Sequence, residues 1–474
     1  MKKTFLLLTA MMLACSMWAQ QFTVDGIRYW ITSSEEPRTV SLYIGREYSG
    51  TTLVIDKVIY NDLEYTITGE IPGEIFKNCT NLTSVTIGNG IDKIGKDAFM
   101  GCTNLTSVII GNSVESIGSN AFKYAPLTSI EIPNSVKSIG MQVFYDAKFT
   151  SVTIPGSLTS CESVFDGCLE LTEFLVDNTN QHFSSQDGVL FDKEMKTIIR
   201  YPYNKQGTSY VIPNSVTSIG FKAFAACRNF KDITIPNSVK DIGESAFWNC
   251  FMTSISIPNS VESIGVDAFR YCTYLEEVVL SNSIKTIGKF AFFGCNRLTR
   301  IAIPNSLRMI QGNTFADCTD LTTVVIGSSV RLIEDWAFSG CTKLTRVECH
   351  NPIPPSLPDW YHQFQGVDGS KCVLYVPAES VGAYEASIFS LFFYNIRALS
   401  STAINQLSKD EINVYSSGSD IVIAGATLGE TIWVYTTSGQ LVQQAIVTSN
   451  ETRIALPQGI YIIKVGEDSF KIRN

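Results

Sequence analysis

Residues 102–124 read CTNLTSVIIGNSVESIGSNAFKY, and this stretch decides the fold. Leu105, Val108 and Ile110 fall where a short strand would point inward, and Val108 and Ile110 are two apart, the period of a half-buried strand. Gly111-Asn112-Ser113 is turn chemistry. Val114 and Ile117 then bring the chain back to the core, Gly118 allows a corner, and Ala121-Phe122 packs a small and a large residue inside a tight helical or 3₁₀ turn. A stretch this short cannot close a core alone. Stacked copies can, because each buries these positions against the same positions above and below.

The copies are present on both sides. Phe76, Phe99, Phe122, Phe144 and Phe165 are spaced 23, 23, 22 and 21 residues apart. After a gap, Phe224, Phe247, Phe269, Phe292, Phe315 and Phe338 follow at 23, 22, 23, 23 and 23, making eleven units. Most carry Ala just before the Phe, as at Ala98, Ala121, Ala246 and Ala291. Several place Pro in the turn (Pro133, Pro213, Pro236, Pro258, Pro304), which lacks an N–H, so strand pairing should stop there.

Three residues after the Phe there is usually Cys, as at Cys79, Cys102, Cys168, Cys250 and Cys341, with Ala125 and Ala147 in two units. Export suggests an oxidising compartment, where disulfides form. But the same position accepts Ala, and Cys also behaves as a small buried hydrophobe. Buried free thiols are therefore the expectation. Spacings of 22 and 23 do not supply the close pairs that zinc needs.

The units resemble the BspA-type leucine-rich repeat found on surfaces of Bacteroidota and some protozoa. The shared pattern is L-T-x-V-x-I-P-x-S-V-x-x-I-x-x-x-A-F-x-x-C, over residues 71–348. A longer unit at 172–212 carries Asp187-Gly188-Val189-Leu190-Phe191 and Tyr201-Pro202, insertions that recur in this repeat family. The resemblance implies a mainly β, right-handed leucine-rich-repeat solenoid with parallel β-sheet faces and short helical or 3₁₀ turns. It also implies an interaction role, since members are implicated in adhesion to host matrix proteins and in co-aggregation.

Both ends depart from the repeat. Residues 20–70 alternate apolar and polar residues, as in Thr51-Thr52-Leu53-Val54-Ile55, and read as a β-rich N-terminal cap. Residues 349–399 read as a C-terminal cap, with Val373-Leu374-Tyr375-Val376 as one more strand and an aromatic Tyr384–Arg397 segment over the last coil. From 400 to 474, short strands with turn signals predict a small antiparallel β-sandwich. The stretches VYTTSGQLV (434–442) and LPQGIYIIKV (456–465) resemble the sorting domain of type IX secretion. That resemblance implies passage across the outer membrane of a Gram-negative bacterium, with the secretion machinery as partner. Residues 1–19 read as a signal peptide: Lys2 and Lys3 precede an apolar stretch too short to span a bilayer, with cleavage between Ala19 and Gln20. No later segment is long and apolar enough to span a membrane, so none is expected in the mature chain.

Charged residues are only 17% of the chain, the formal net charge is −9 and no basic block occurs. Phosphate binding needs clustered Lys and Arg, which argues against a nucleic-acid partner. The three histidines are His182, His350 and His362, and no HExxH, GKT/GKS or GxSxG motif is present. The densest local constellation is Cys349, His350, Asp359, His362 and Cys372 in the cap, where packing or turn roles are the plainer reading. No enzyme activity, metal or cofactor is expected.

The candidate site is the outward face of the first strands. In the second half it reads Asp232 and Thr234, Glu277 and Val279, Arg300, Thr323 and Val325, then Arg346 and Glu348. With strands about 4.8 Å apart, eleven coils span roughly 50 Å. A ribbon about 20 Å wide then offers on the order of 1,000 Å², more than the roughly 800 Å² per partner of a standard interface. A host or bacterial surface macromolecule is the expected partner. Glycan capture is the alternative, favoured if aromatic residues cluster on one face, and a structural surface coat is another.

Overall fold

The computed structural model describes residues 21–44, 48–229, 231–358 and 362–399, and most of 413–473. Residues 1–19, expected to be a signal peptide, the expected Ala19–Gln20 cleavage junction and Asp359 lie outside the described residues.

The chain begins with a five-stranded sheet in the order Gln21–Val24, Ile27–Ser33, Thr39–Ile44, Leu63–Ile67, Lys57–Tyr60. Its tight hairpins turn on Asp25-Gly26 and Asn61-Asp62, all four at positive φ (51°, 78°, 52° and 61°). Two consecutive left-handed residues match the right-handed twist of the flanking strands, which is why Asp, Asn and Gly occupy these turns. This sheet feeds the array at two points. Thr52–Ile55 pairs in parallel with Ser84–Ile87, and Gly69–Ile71 with Ile91–Ile94.

From there most coils present two parallel ladders. The first is built from the LTxVxI strands, with Ser107–Ile109 beside Ser84–Ile87. At the far end Arg300–Ile303, Thr323–Ile326, Arg346–Cys349, Val373–Val376 and Asn395–Ala398 form one continuous parallel sheet. The second ladder is narrower, two residues per coil, as in Ser218–Ile219, Asp241–Ile242, Ser263–Ile264 and Thr286–Ile287.

The third side of each coil holds the Ala-Phe turn. Its N–H groups alternate between two kinds of bond. Ala98, Met100 and Cys102 donate three residues back, as in a 3₁₀ helix, to Gly95, Asp97 and Phe99 at 3.4, 3.1 and 3.3 Å. Asp97, Phe99 and Gly101 donate forward to Ser119, Ala121 and Lys123 of the next coil at 3.0, 2.8 and 2.8 Å. Positive φ at Asp97 and Gly101 produces the alternation. The turns thus tie coils together as well as closing them, and their backbone groups find partners without a sheet.

Inside, the phenylalanines stack. Phe247 and Phe269 lie 5.1 Å apart at an interplanar angle of 4°, and Phe269 and Phe292 5.0 Å apart at 5°. Two members of this column are not Phe-unit residues of the eleven. Phe364, in the C-terminal cap, stacks on Phe338 at 5.3 Å and 7°. Tyr201, in the insert, sits 5.2 Å from Phe224 and donates its N–H to Ala223, as a column Phe would. Tyr201 and Phe224 are 23 residues apart, so Tyr201-Pro202 is the insert unit's version of the Phe position.

The insert itself is a hairpin. Phe183–Gln186 and Val189–Asp192 pair across Asp187-Gly188, both at positive φ (52° and 74°). Thr197–Arg200 then rejoins the second ladder beside Ser218–Ile219. The last coil is closed by a short helix, Val381–Glu385, flanked by 3₁₀ turns at Ala378–Ser380 and Ile388–Leu391, which bury Tyr384 and Phe389. The C-terminal region forms two antiparallel sheets, of three and four strands, around Ile421, Ile423, Ile432, Val434, Ile454 and Ile463.

Candidate binding surface

Outward positions of the first ladder alternate with the buried Val and Ile that fix each strand. Ile233, Val278 and Ile301 are buried, so Asp232, Thr234, Glu277, Val279 and Arg300 on either side of them are exposed. From Arg300 onward parallel register sets the outward residues in rows. Arg300, Thr323 and Arg346 are consecutive partners across three strands, as are Ala302, Val325 and Glu348.

The face changes character along that second row. Val325, expected to point to solvent, is buried at 1% exposure. It stands in register between Ala302 and Glu348, and the Glu348 side chain is itself only 12% exposed. Arg346 donates from Nε to Glu348 at 2.6 Å and lies over the Tyr375 ring at 3.9 Å, while His350 Nε2 is 3.5 Å from the other Glu348 oxygen. This closed group takes the space that solvent would occupy beside Val325. Arg346 and Glu348 therefore satisfy each other, whereas Asp232, Glu277 and Arg300 keep exposed charges.

The first half of the face is less polar than its Ser and Thr suggest. Val54, Ile109, Leu175 and Val211 are exposed there, at 61%, 61%, 45% and 67%. Val54, Thr86 and Ile109 share one register row, so the cap strand Thr52–Ile55 is in effect the first coil of this face. Aligning Thr51-Thr52-Leu53-Val54-Ile55 on the repeat would have found Val54.

A profile of the BspA type leucine rich repeat region matches six times, over residues 69–187, 201–321 and 267–355, more than half of the chain. The chain belongs to this family. Residues 401–473 match a domain of unknown function, DUF6383. Among solved structures, a leucine-rich repeat protein from Eubacterium ventriosum is 23% identical, with a TM-score of 0.54 over 73% of this chain and 93% of its own. The pneumococcal vaccine antigen PcpA is 20% identical, with a TM-score of 0.57 over 80% of this chain and 98% of its own. At these identities the likeness shows the fold alone. No curated protein matches the chain.

Within this BspA-type array the cap residues singled out for chemistry are dispersed. Cys349 and Cys372 are buried in the core, and the Tyr384 hydroxyl reaches Cys349 Sγ at 3.1 Å and the Asn351 carbonyl at 2.9 Å. His362 stacks on Trp336 at 4.3 Å and bonds through Nδ1 to Asp335 at 3.2 Å. Among the described residues no group of three or more His, Cys, Asp and Glu could hold a metal ion. No helix of the described residues is long and apolar enough to cross a membrane.

A second surface lies on the turn side, one or two residues after the column Phe. Trp248 and Tyr271 are 37% and 38% exposed, and Tyr271 meets Phe293 edge-on at 5.5 Å. The Arg270 guanidinium sits 4.9, 5.1 and 5.0 Å from the Tyr271, Phe290 and Phe293 rings, and bonds to Asp267 at 3.0 Å. Cation–π contacts of this kind hold the aromatic cluster in place. Sequence reading searched the strand positions for aromatics and passed over these; the aromatic residues one or two places after Phe247, Phe269 and Phe292 were the signal.

Proposed function

We propose that this protein is an exported surface protein whose solenoid binds a protein partner through the outward face of the first ladder. The observation that carries the reading is that Asp232, Thr234, Glu277, Val279 and Arg300 all stand exposed on successive short parallel sheets whose inner sides are locked in the core. A rigid face needs little ordering on association, so its contacts convert to affinity with small entropic loss. We assign residues 1–19 as the signal peptide, 20–70 and 349–399 as the caps of the 71–348 array, and 400–474 as a type IX sorting domain. Host matrix or a bacterial surface is the partner class, at the outer surface of a Gram-negative cell. The test is a pull-down of matrix proteins and whole bacteria with the mature chain beside Asp232→Lys, Glu277→Lys and Arg300→Glu. Saturable binding weakened tenfold or more by these changes is expected; binding indifferent to all three sinks the assignment of this face. Deleting 400–474 should leave the protein inside the outer membrane.

Glycan capture is the second reading. The outward strand positions named above carry no aromatic residue, but on the turn side Tyr271 and Phe293 pack edge-on and Trp248 is exposed. A glycan array probed with the mature chain and with Trp248→Ala and Tyr271→Ala separates the two.

A further inference from the structure

The second ladder breaks between Ser138–Ile139 and the insert, as it also does between Thr286–Ile287 and Met309–Ile310, and the first break leaves a half-open cavity. In the coils before it the ladder residues are Ile94, Ile117 and Ile139, each five positions before its column Phe. In the next coil Cys161 takes that place and stands only four positions before Phe165. The coil is thus one residue short and carries a smaller side chain. Pairing stops at Ser138–Ile139 and resumes only at the insert, whose Thr197–Arg200 continues to Ser218–Ile219. In the preceding coil Lys137 and Ser138 donate to Glu115, and Gly140 to Ile117; among the described residues Thr159, Ser160 and Glu162 make no equivalent ladder bonds.

The gap has a volume of about 310 Å³. Its walls are Phe165, Phe183, Leu190, Ile199 and Phe221, and its rim carries the hydroxyls of Thr159, Ser160 and Ser163 and the exposed Glu162, whose carboxylate disfavours an anion. Arg200 also lines it, but that guanidinium is already engaged: it bonds to Asp166 and, at 2.6 Å, to the Lys222 carbonyl. Lys222 closes the ion group by bonding Asp166 at 2.9 Å. No buried charge is left seeking a counter-ion, so the chemistry favours a neutral ligand.

Size narrows the class further. An apolar cavity of roughly 150 Å³ takes up benzene, with its six heavy atoms. By proportion, this one holds on the order of a dozen. Three aromatic walls suit a flat ring, and the rim hydroxyls suit one hydrogen-bonding substituent. We infer that the break between residues 159–163 and the insert is a binding site for a small neutral aromatic molecule of about the size of indole.

The experiment titrates the mature chain with indole by calorimetry, with benzoate as the anionic counterpart, and determines the structure of indole-soaked crystals. One-to-one saturable binding is expected, with density between Phe165, Phe183 and Phe221. Cys161→Leu and Thr197→Trp fill the gap from opposite sides and should each weaken indole at least tenfold. Two variants are used so that one failing to fold leaves the other to decide. Indole binding unchanged in a variant that still melts cooperatively, or soaked crystals with only water in the gap, would overturn the site. Benzoate binding tighter than indole would overturn its neutral character.

Discussion

The thiol of Cys272 donates to the backbone carbonyl of Phe247, one coil earlier, at 3.0 Å. The same bond recurs from Cys250 to Phe224 at 3.0 Å, from Cys295 to Phe269 at 3.2 Å and from Cys341 to Phe315 at 3.2 Å. The Phe247, Phe224 and Phe269 carbonyls also accept the N–H of their own coil's Cys, at 3.2, 3.1 and 3.1 Å. A carbonyl has two lone pairs, and the thiol column fills the second. That is what Cys offers over Ala at this position.

The first prediction concerns reactivity. Burial pushes the Cys272 and Cys341 thiols up to about 12, so almost no thiolate exists at neutral pH. All twelve cysteines of the described residues are free and buried. Titration with an aromatic disulfide at pH 8 should find essentially none in the native protein and all twelve after unfolding. Rapid native labelling of several thiols would show that the array opens readily. Cys272→Ala should cost only about 1 kcal/mol, since it removes a weak donor and one atom of packing.

Phe364 makes the second test. It extends the stacked column one coil past Phe338 and meets Phe393 edge-on at 4.9 Å. Phe364→Ala should destabilise the C-terminal end by about 3–5 kcal/mol, the usual loss for a buried Phe. In a solenoid such damage is felt first by neighbouring coils. Hydrogen exchange should therefore quicken over residues 338–399 before it does over 71–165.

These residues mark how far the sequence could be read. The eleven Phe, the Ala before them and the Val/Ile alternation carry the coil directly, because every coil repeats the same burial. Tyr201 and Phe364 escaped because each stands in a unit whose flanking pattern differs: Tyr201 follows an insert, and Phe364 sits between Gln363 and Gln365 without the usual Ala and Cys. Their roles come from stacking on the next coil, a long-range fact. The binding face was legible as a period of two, but side-chain pairing across strands was not. Nothing in Arg346 or Glu348 alone announces that they close on each other and bury Val325.

Asp166 supplies a pH test. Burial raises its carboxyl, but Arg200 and the hydrogen-bonded Lys222 outweigh this and hold it below the ordinary 3.8. A carboxyl depressed in the folded state contributes stability above its unfolded value and loses it as pH falls through the folded one. The contribution should thus be complete above the unfolded value and shrink progressively as pH falls below about 4. Asp166→Asn leaves Arg200 buried without its counter-charge and should cost about 3–5 kcal/mol at pH 7. Chemical denaturation of both proteins at pH 7 and pH 3 checks this: the gap between them should narrow at pH 3. A gap equally wide at both would mean that packing, not charge, holds the insert to the array.

The last prediction separates two valines of the same face. Val279 is 38% exposed and Val325 is 1% exposed, although both occupy outward strand positions. Val279→Asp places a carboxylate in water beside Ser256, its register partner, and should change stability by no more than about 0.5 kcal/mol. Val325→Asp buries a carboxylate next to Glu348, where desolvation and like charge act together, and should cost roughly 3 kcal/mol or more. Thermal melts of the two variants decide the matter. If Val325→Asp melts with the wild type, the Arg346–Glu348–His350 group opens freely, and the face available to a partner extends one strand further than the static arrangement implies. If it melts early while Val279→Asp does not, the usable face ends at Arg300 and Thr323, and partner contacts belong to the coils before them.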